Sequence, residues 1–106
     1  QWAAFHYTVF GKLRPVIRGY MADAAAGNWP AAEAKWRSLR AASGFIEDMT
    51  VWELARTGTY ASAFTILKPW YDAIGLKGGH VLAPVEPVSA QRAEWLVGRL
   101  RELGIA

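Results

Sequence analysis

The stretch Leu67–Ser89, LKPWYDAIGLKGGHVLAPVEPVS, decides how this chain is read. An apolar, helix-like run ends at Gly75, where glycine accepts a positive φ without steric cost. A Gly78-Gly79 pair and the prolines Pro84 and Pro87 follow, and Ser89 then opens a new helical pattern. This is the punctuation of helix, stop, stiffened crossing and capped restart.

The restart is the clearest helix in the sequence. Ser89 is its cap, Ala93, Leu96, Val97, Leu100 and Leu103 form an i, i+3, i+4, i+7 stripe, and Gly104 stops it. Upstream of Gly75, ASAFTILKPWYDAIGL is helical except at Pro69, which either kinks a long helix or sits in the first turn of a shorter one. We expect a helix covering at least residues 69–74. Further back, Trp2, Phe5, Val9, Phe10 and Leu13 make one apolar stripe, and Pro15 punctuates it. A second helix presents Val16, Ile17, Tyr20, Met21 and Ala24 and stops at Gly27. Asn28 can cap a third, with Pro30 in its first turn. The third is expected to run from about Pro30 to Ala42, to bury Ala32, Trp36 and Leu39, and to end at Ser43-Gly44. Residues 45–58, FIEDMTVWELARTG, read as less regular, with Thr50 capping a short turn that carries Val51, Trp52 and Leu54. No sustained period-two alternation occurs, so the expected class is all-α, as a single region over residues 1–106.

Composition narrows the function classes. The 106 residues are 53% hydrophobic and 20% charged, enough to bury a core and unlike a disordered segment. Six tryptophans, four tyrosines and four phenylalanines are more aromatic surface than a core of this size covers. Some of it is expected to meet something outside this chain. The absence of cysteine excludes disulfides, thiolate metal sites and a cysteine nucleophile, and fits a cytoplasmic protein. No apolar run reaches the roughly 18 residues that a membrane span needs. The start, QWAAFHYTVFGKL, lacks the basic head and cleavage site of a signal peptide. Beginning with Gln1 rather than Met, the chain is expected to be a mature product or a piece of a longer protein. The net charge of +3 comes from interspersed signs. Lys35, Arg37 and Arg40, and Arg99 with Arg101, are the nearest approach to a basic stripe, and no nucleic-acid partner is expected.

Catalytic patterns are scarce. His6 and His80 have no metal-ligand spacing, and Glu47 and Asp48, adjacent in sequence, point in different directions on a helix. Ser38, Ser43, Ser62 and Ser89 have no nucleophile elbow, and Gly78-Gly79 has no phosphate-loop context. Lys68 stands among Leu67, Pro69, Trp70 and Tyr71, a setting in which a lysine can become a Schiff-base nucleophile. A lysine can equally lay its stem along apolar surface with its ammonium in water, and that reading is preferred. No catalytic, cofactor-binding or metal-binding residue is assigned, and no cofactor is expected.

The ending resembles the C-terminus of the dihydrodipicolinate synthase/N-acetylneuraminate lyase family. The residues that carry the resemblance are Lys68, Gly75, Leu76, Pro84, Pro87, Ser89, Leu103 and Gly104, with AAAGNWPAAEAKW (residues 24–36) similar to that family's helix–glycine–helix junction. It covers roughly residues 15–106. Two departures stand out: Leu82 occupies the place of an arginine, and EDMTVWELARTGTY is longer than the matching part of short members. The resemblance implies a helical C-terminal part of a (β/α)8 barrel, a fold of about 250 residues. It also implies a class I, pyruvate-linked lyase or aldolase, commonly tetrameric. The Schiff-base lysine, the proton-relaying tyrosine and the carboxylate-binding loop of such enzymes lie on barrel strands, before the region matched here. Lys68 then corresponds to a lysine of the C-terminal helices. The implied partners are the rest of the barrel and further copies of the chain, with no active site in these residues. The alternative is a non-enzymatic helical interaction module that docks through its tryptophan-rich faces.

Overall fold

The structure, a computed structural model, describes residues 4–106, with side chains described from Tyr7 onward. Trp2 therefore lies outside the described residues, as do the side chains of Phe5 and His6. The described chain is all-helical: α1 (Ala4–Val9), a 3-10 turn (Gly11–Leu13), α2 (Arg14–Ala25), α3 (Trp29–Thr57), α4 (Ala61–Ala73) and α5 (Ala90–Glu102). α3 packs against both α2 and α4, and α5 packs on α4.

The length of α3 is the main correction to the sequence reading. Ser43-Gly44 does not end it, and residues 45–57 are regular helix as far as Thr57. The reason is a single buried stripe, Leu39, Ala42, Ile46, Met49 and Glu53, at alternating spacings of three and four. One interior glycine costs about 1 kcal/mol against alanine, and burial of that stripe outweighs it. Thr50 is mid-helix rather than a cap, and its Oγ1 donates to Ile46 O at 3.0 Å. At about 1.5 Å per residue the helix is roughly 43 Å long, and it sets the long dimension of a molecule measuring 49 × 24 × 19 Å.

Helix ends follow local chemistry. α2, α4 and α5 each stop at a glycine with positive φ, Gly27, Gly75 and Gly104. All three carry the six-to-one bond of a Schellman motif: Asn28 N to Asp23 O at 2.8 Å, Leu76 N to Tyr71 O at 2.8 Å, and Ile105 N to Leu100 O at 2.8 Å. Ser89 caps α5 as expected, accepting from Arg92 N at 3.3 Å. Asn28 takes the cap position of α3, but its side chain makes no cap bond. Pro69 lies inside α4 rather than in its first turn, and Ile74 is the C-cap. The expected first stripe is interrupted at Gly11, where α1 gives way to the 3-10 turn.

The core is built around Trp70, which is 1% exposed together with Phe10, while Val9, Leu96, Leu100 and Ile105 are fully buried. Trp70 Nε1 donates to Val9 O at 2.8 Å, and Phe45 lies near-parallel to the indole at 5.7 Å between centroids. The 3-10 turn and the C-terminal residues meet at this core. Lys12 N donates to Ile105 O at 2.9 Å, and a Cβ on Gly11 would stand 2.2 Å from that oxygen. The connector after Gly75 is pinned in a similar way. Gly78 N donates to Asp72 Oδ1 at 2.9 Å, and a Cβ on Gly78 would stand 2.2 Å from Lys68 O. Of the residues expected in the third helix's buried face, Ala32 and Leu39 are buried and Trp36 is 38% exposed. Trp36 instead lies on the flank of the α2–α3 pair, its ring 6.4 Å from that of Tyr20.

Replacing Trp70 with phenylalanine keeps most of the apolar volume but leaves Val9 O without its buried donor. We expect Trp70→Phe to lower unfolding free energy by about 1–3 kcal/mol, read by urea denaturation. An unchanged midpoint would show that the hydrogen bond contributes nothing.

Candidate functional site

The last turns of α3, the start of α4 and the connector residues 84–89 leave a cleft between them of about 650 Å³. Its lining includes Trp52, Glu53, Arg56, Thr57, Ser62, Thr65, Pro84, Val85, Glu86, Pro87, Val88, Ser89 and Arg92. The base of this region is organised by Glu53, the residue that takes the next core position after Met49 in the α3 stripe. Glu53 is 1% exposed, and a carboxylate in that setting needs partners for both oxygens. It has them: Arg92 Nη2 lies 3.0 Å from Oε1 and Arg56 Nη2 lies 2.9 Å from Oε2.

Arg92 is held by more than its charge. Its guanidinium stands 4.6 Å from the centroid of Trp52 and 4.3 Å from that of Trp95. Cation–π attraction to both indoles adds to the carboxylate contact in holding the guanidinium in place. A smaller depression of about 440 Å³ lies across Trp52 and Arg92, lined by Asp48, Met49, Val51, Ala55 and Trp95 as well.

Hydroxyls line the other wall. Thr57 Oγ1 donates to Glu53 O at 2.8 Å, closing the last turn of α3. Ser62 Oγ lies 3.0 Å from the same carbonyl, 2.6 Å from Thr59 O, and against Thr57 Oγ1. Its single proton serves one of these acceptors at a time. Thr65 Oγ1 donates to Ser62 O at 2.7 Å.

Lys68 is half-buried in α4 and lines neither cleft, and His80 is exposed on the connector. Glu47 and Asp48 are exposed on α3, as expected of solvated polar residues. Lys35 pairs with Asp23, Arg37 with Glu33 and Arg99 with Glu102, so these cations face acids within the chain. Among the described residues no group of three or more His, Cys, Asp or Glu could hold a metal ion. The irregular reading of residues 45–58 hides the Glu53–Arg92 centre, because it breaks the helical register that puts Glu53 in the core. The available signal was an acidic residue at a core position of the Leu39–Met49 stripe.

No protein-family model, curated protein or solved structure matches this chain.

The two arginines are not equivalent partners of Glu53, since the Arg56 side chain is 54% exposed and that of Arg92 27%. Arg92→Ala is expected to cost about 2–4 kcal/mol, because a buried carboxylate then loses its better-shielded partner. Arg56→Ala should cost under about 1 kcal/mol, as solvent screens that pair. Equal denaturation midpoints for the two variants would contradict this ranking.

Proposed function

We propose that this chain is a helical packing and docking region of a protein similar to the dihydrodipicolinate synthase/N-acetylneuraminate lyase family. In this reading it has no active site of its own, and the Schiff-base chemistry of a pyruvate-linked lyase belongs to barrel strands elsewhere in the protein. The observation that carries the proposal is the surplus of apolar surface left once the core is complete. Trp29 is 65% exposed, Val51 64%, Tyr60 68% and Phe64 60%. Side chains of this kind are usual where a surface is covered by another domain or subunit. The glycine stop at Gly75, the pinned connector, the Ser89 cap and the buried ending at Ile105 support the reading, because they give structural work to the punctuation on which the resemblance rests. The half-buried Lys68, outside both clefts, fits a scaffold role. A cytoplasmic location and assembly into a homo-oligomer belong to the same proposal. Among the described residues no helix is long and apolar enough to cross a membrane.

The second reading is a non-enzymatic docking module, favoured by the adjacent exposure of Val51, Trp52 and Trp95 beside the smaller depression. The two readings part on a longer protein. Where a barrel precedes this region, borohydride reduction in the presence of pyruvate should add one pyruvyl-derived mass to that protein, on a barrel lysine. The 106-residue chain alone should stay unlabelled. Labelling of Lys68 would overturn the proposal.

The apolar surplus has its own test. In light scattering the isolated chain should self-associate, and it should raise the fluorescence of a dye that reports exposed apolar surface. A monodisperse monomer with no dye response would remove the observation on which the proposal stands.

A further inference from the structure

The larger cleft combines several features that favour a negatively charged guest. Arg92 spends one Nη2 contact on Glu53, and its Nε and Nη1 groups have no hydrogen-bond partner among the described residues. A guanidinium already held by Trp52, Trp95 and Glu53 keeps those remaining donors for a guest and has little further ordering to lose on binding. Arg56 also lines the cleft, so two cations face the single buried carboxylate of Glu53.

The backbone adds to this. The starts of two 13-residue helices, α4 and α5, both border the same cleft, through Ala61 and Ser62 and through Ser89 and Arg92. Neither helix carries an acid in its first turn, so neither positive dipole end is neutralised from within. The first amides of α4 are used locally, by Thr59 O, Thr59 Oγ1 and Tyr60 O. At α5, Ser89 and Arg92 are the residues that line the cleft and Ser89 Oγ serves Arg92 N, while the first-turn amides of Ala90 and Gln91, next to the lining, need no partner within the helix. Two features oppose an anion. α3 ends at the same rim with its negative dipole end, but Glu53 O and Leu54 O already accept from Thr57 Oγ1 and Gly58 N. Glu86 is the other acid of the lining, and it is exposed, where solvent screens its charge.

Apolar side chains complete the lining: Trp52, packed on Arg92, and Pro84, Val85, Pro87 and Val88 of the connector. A volume of about 650 Å³ falls in the range of small-molecule sites, about 300–1,000 Å³. We propose that this cleft binds a small organic anion, its carboxylate or phosphate group on Arg92 and the start of α5 and its apolar body against Trp52 and the Pro84–Val88 segment. The site goes beyond the packing role above and stands or falls independently of it, since it needs no barrel and no Schiff base.

The test is titration of the ¹⁵N-labelled chain with phenyl phosphate, benzoate, inorganic phosphate and benzyl alcohol, followed by NMR. Saturable shifts are expected for phenyl phosphate and benzoate at the Trp52 indole N–H, the Arg92 Nε–H and the amides of Ala90 and Gln91. Inorganic phosphate should bind more weakly at the same amides, and benzyl alcohol should give no saturable shift. Comparison of the two aryl anions distinguishes a phosphate from a carboxylate head. Arg92→Lys loses the planar fork and should weaken binding at least about tenfold. Ser89→Asp keeps a good helix cap but places a negative charge at the α5 start, and should abolish anion binding with helix content unchanged. No saturation by either aryl anion, equal response to benzyl alcohol, or an unchanged affinity in Ser89→Asp would each overturn the assignment.

Discussion

One indole ties the molecule together. Trp70 sits where α4, the N-terminal segment and the middle of α3 meet, and it reaches each by different means. Its N–H goes to Val9 O, a residue 61 positions away in sequence. Its ring lies against Phe45 of α3. A buried tryptophan without a partner for its N–H would forfeit much of what its apolar area contributes, so the position of Val9 O is a condition on the whole core. The N-terminal segment meets it by breaking its helix at Gly11. That break turns Lys12 N toward Ile105 O and joins the 3-10 turn to the C-terminal residues over the same cluster. A side chain at Gly11 has no room there, which is why the interruption falls on glycine.

A second constraint acts at the far end of α3. A helix held by one stripe through residues 39, 42, 46 and 49 must present residue 53 to the interior as well, and in this chain residue 53 is glutamate. Burying that carboxylate is unfavourable on its own. Arg56, one turn on, and Arg92, from α5, make it tenable. Trp52 and Trp95 then pack on the Arg92 guanidinium and help hold it in place. The cleft, the ion pairs and the aromatic clamp are consequences of continuing α3 past Ser43-Gly44 rather than separate inventions.

The connector from Gly75 to Ser89 serves both ends. At its start, Gly78 lies on the backbone of Lys68 and binds Asp72, which fixes where the chain leaves α4. At its finish, Pro84–Val88 form a wall of the cleft and Ser89 opens α5 so that Arg92 arrives beside Glu53. Its length reflects two anchor points and one wall. Trp29 on α3 and Phe64 on α4 stay exposed and belong to neither.

What the sequence alone determined was local. Glycines that take positive φ ended α2, α4 and α5 at Gly27, Gly75 and Gly104, Ser89 capped α5, and the Leu96–Leu100 stripe gave α5 its buried face, because each depends on residues within one or two turns. The all-helical class followed from the same periodicities. What only the tertiary structure decided were contests between a local preference and burial. Ser43-Gly44 reads as a stop, yet the stripe beneath it continues and prevails. Pro69 reads as a possible beginning, yet Ser62, Thr65 and Ile66 before it are buried and carry the helix through. Glu53 falls in a stretch that reads as irregular, and its buried role appears only when α5 brings Arg92 from 39 residues away. A site made by a long-range ion pair leaves no periodic trace, since its partners are brought together only when the helices pack.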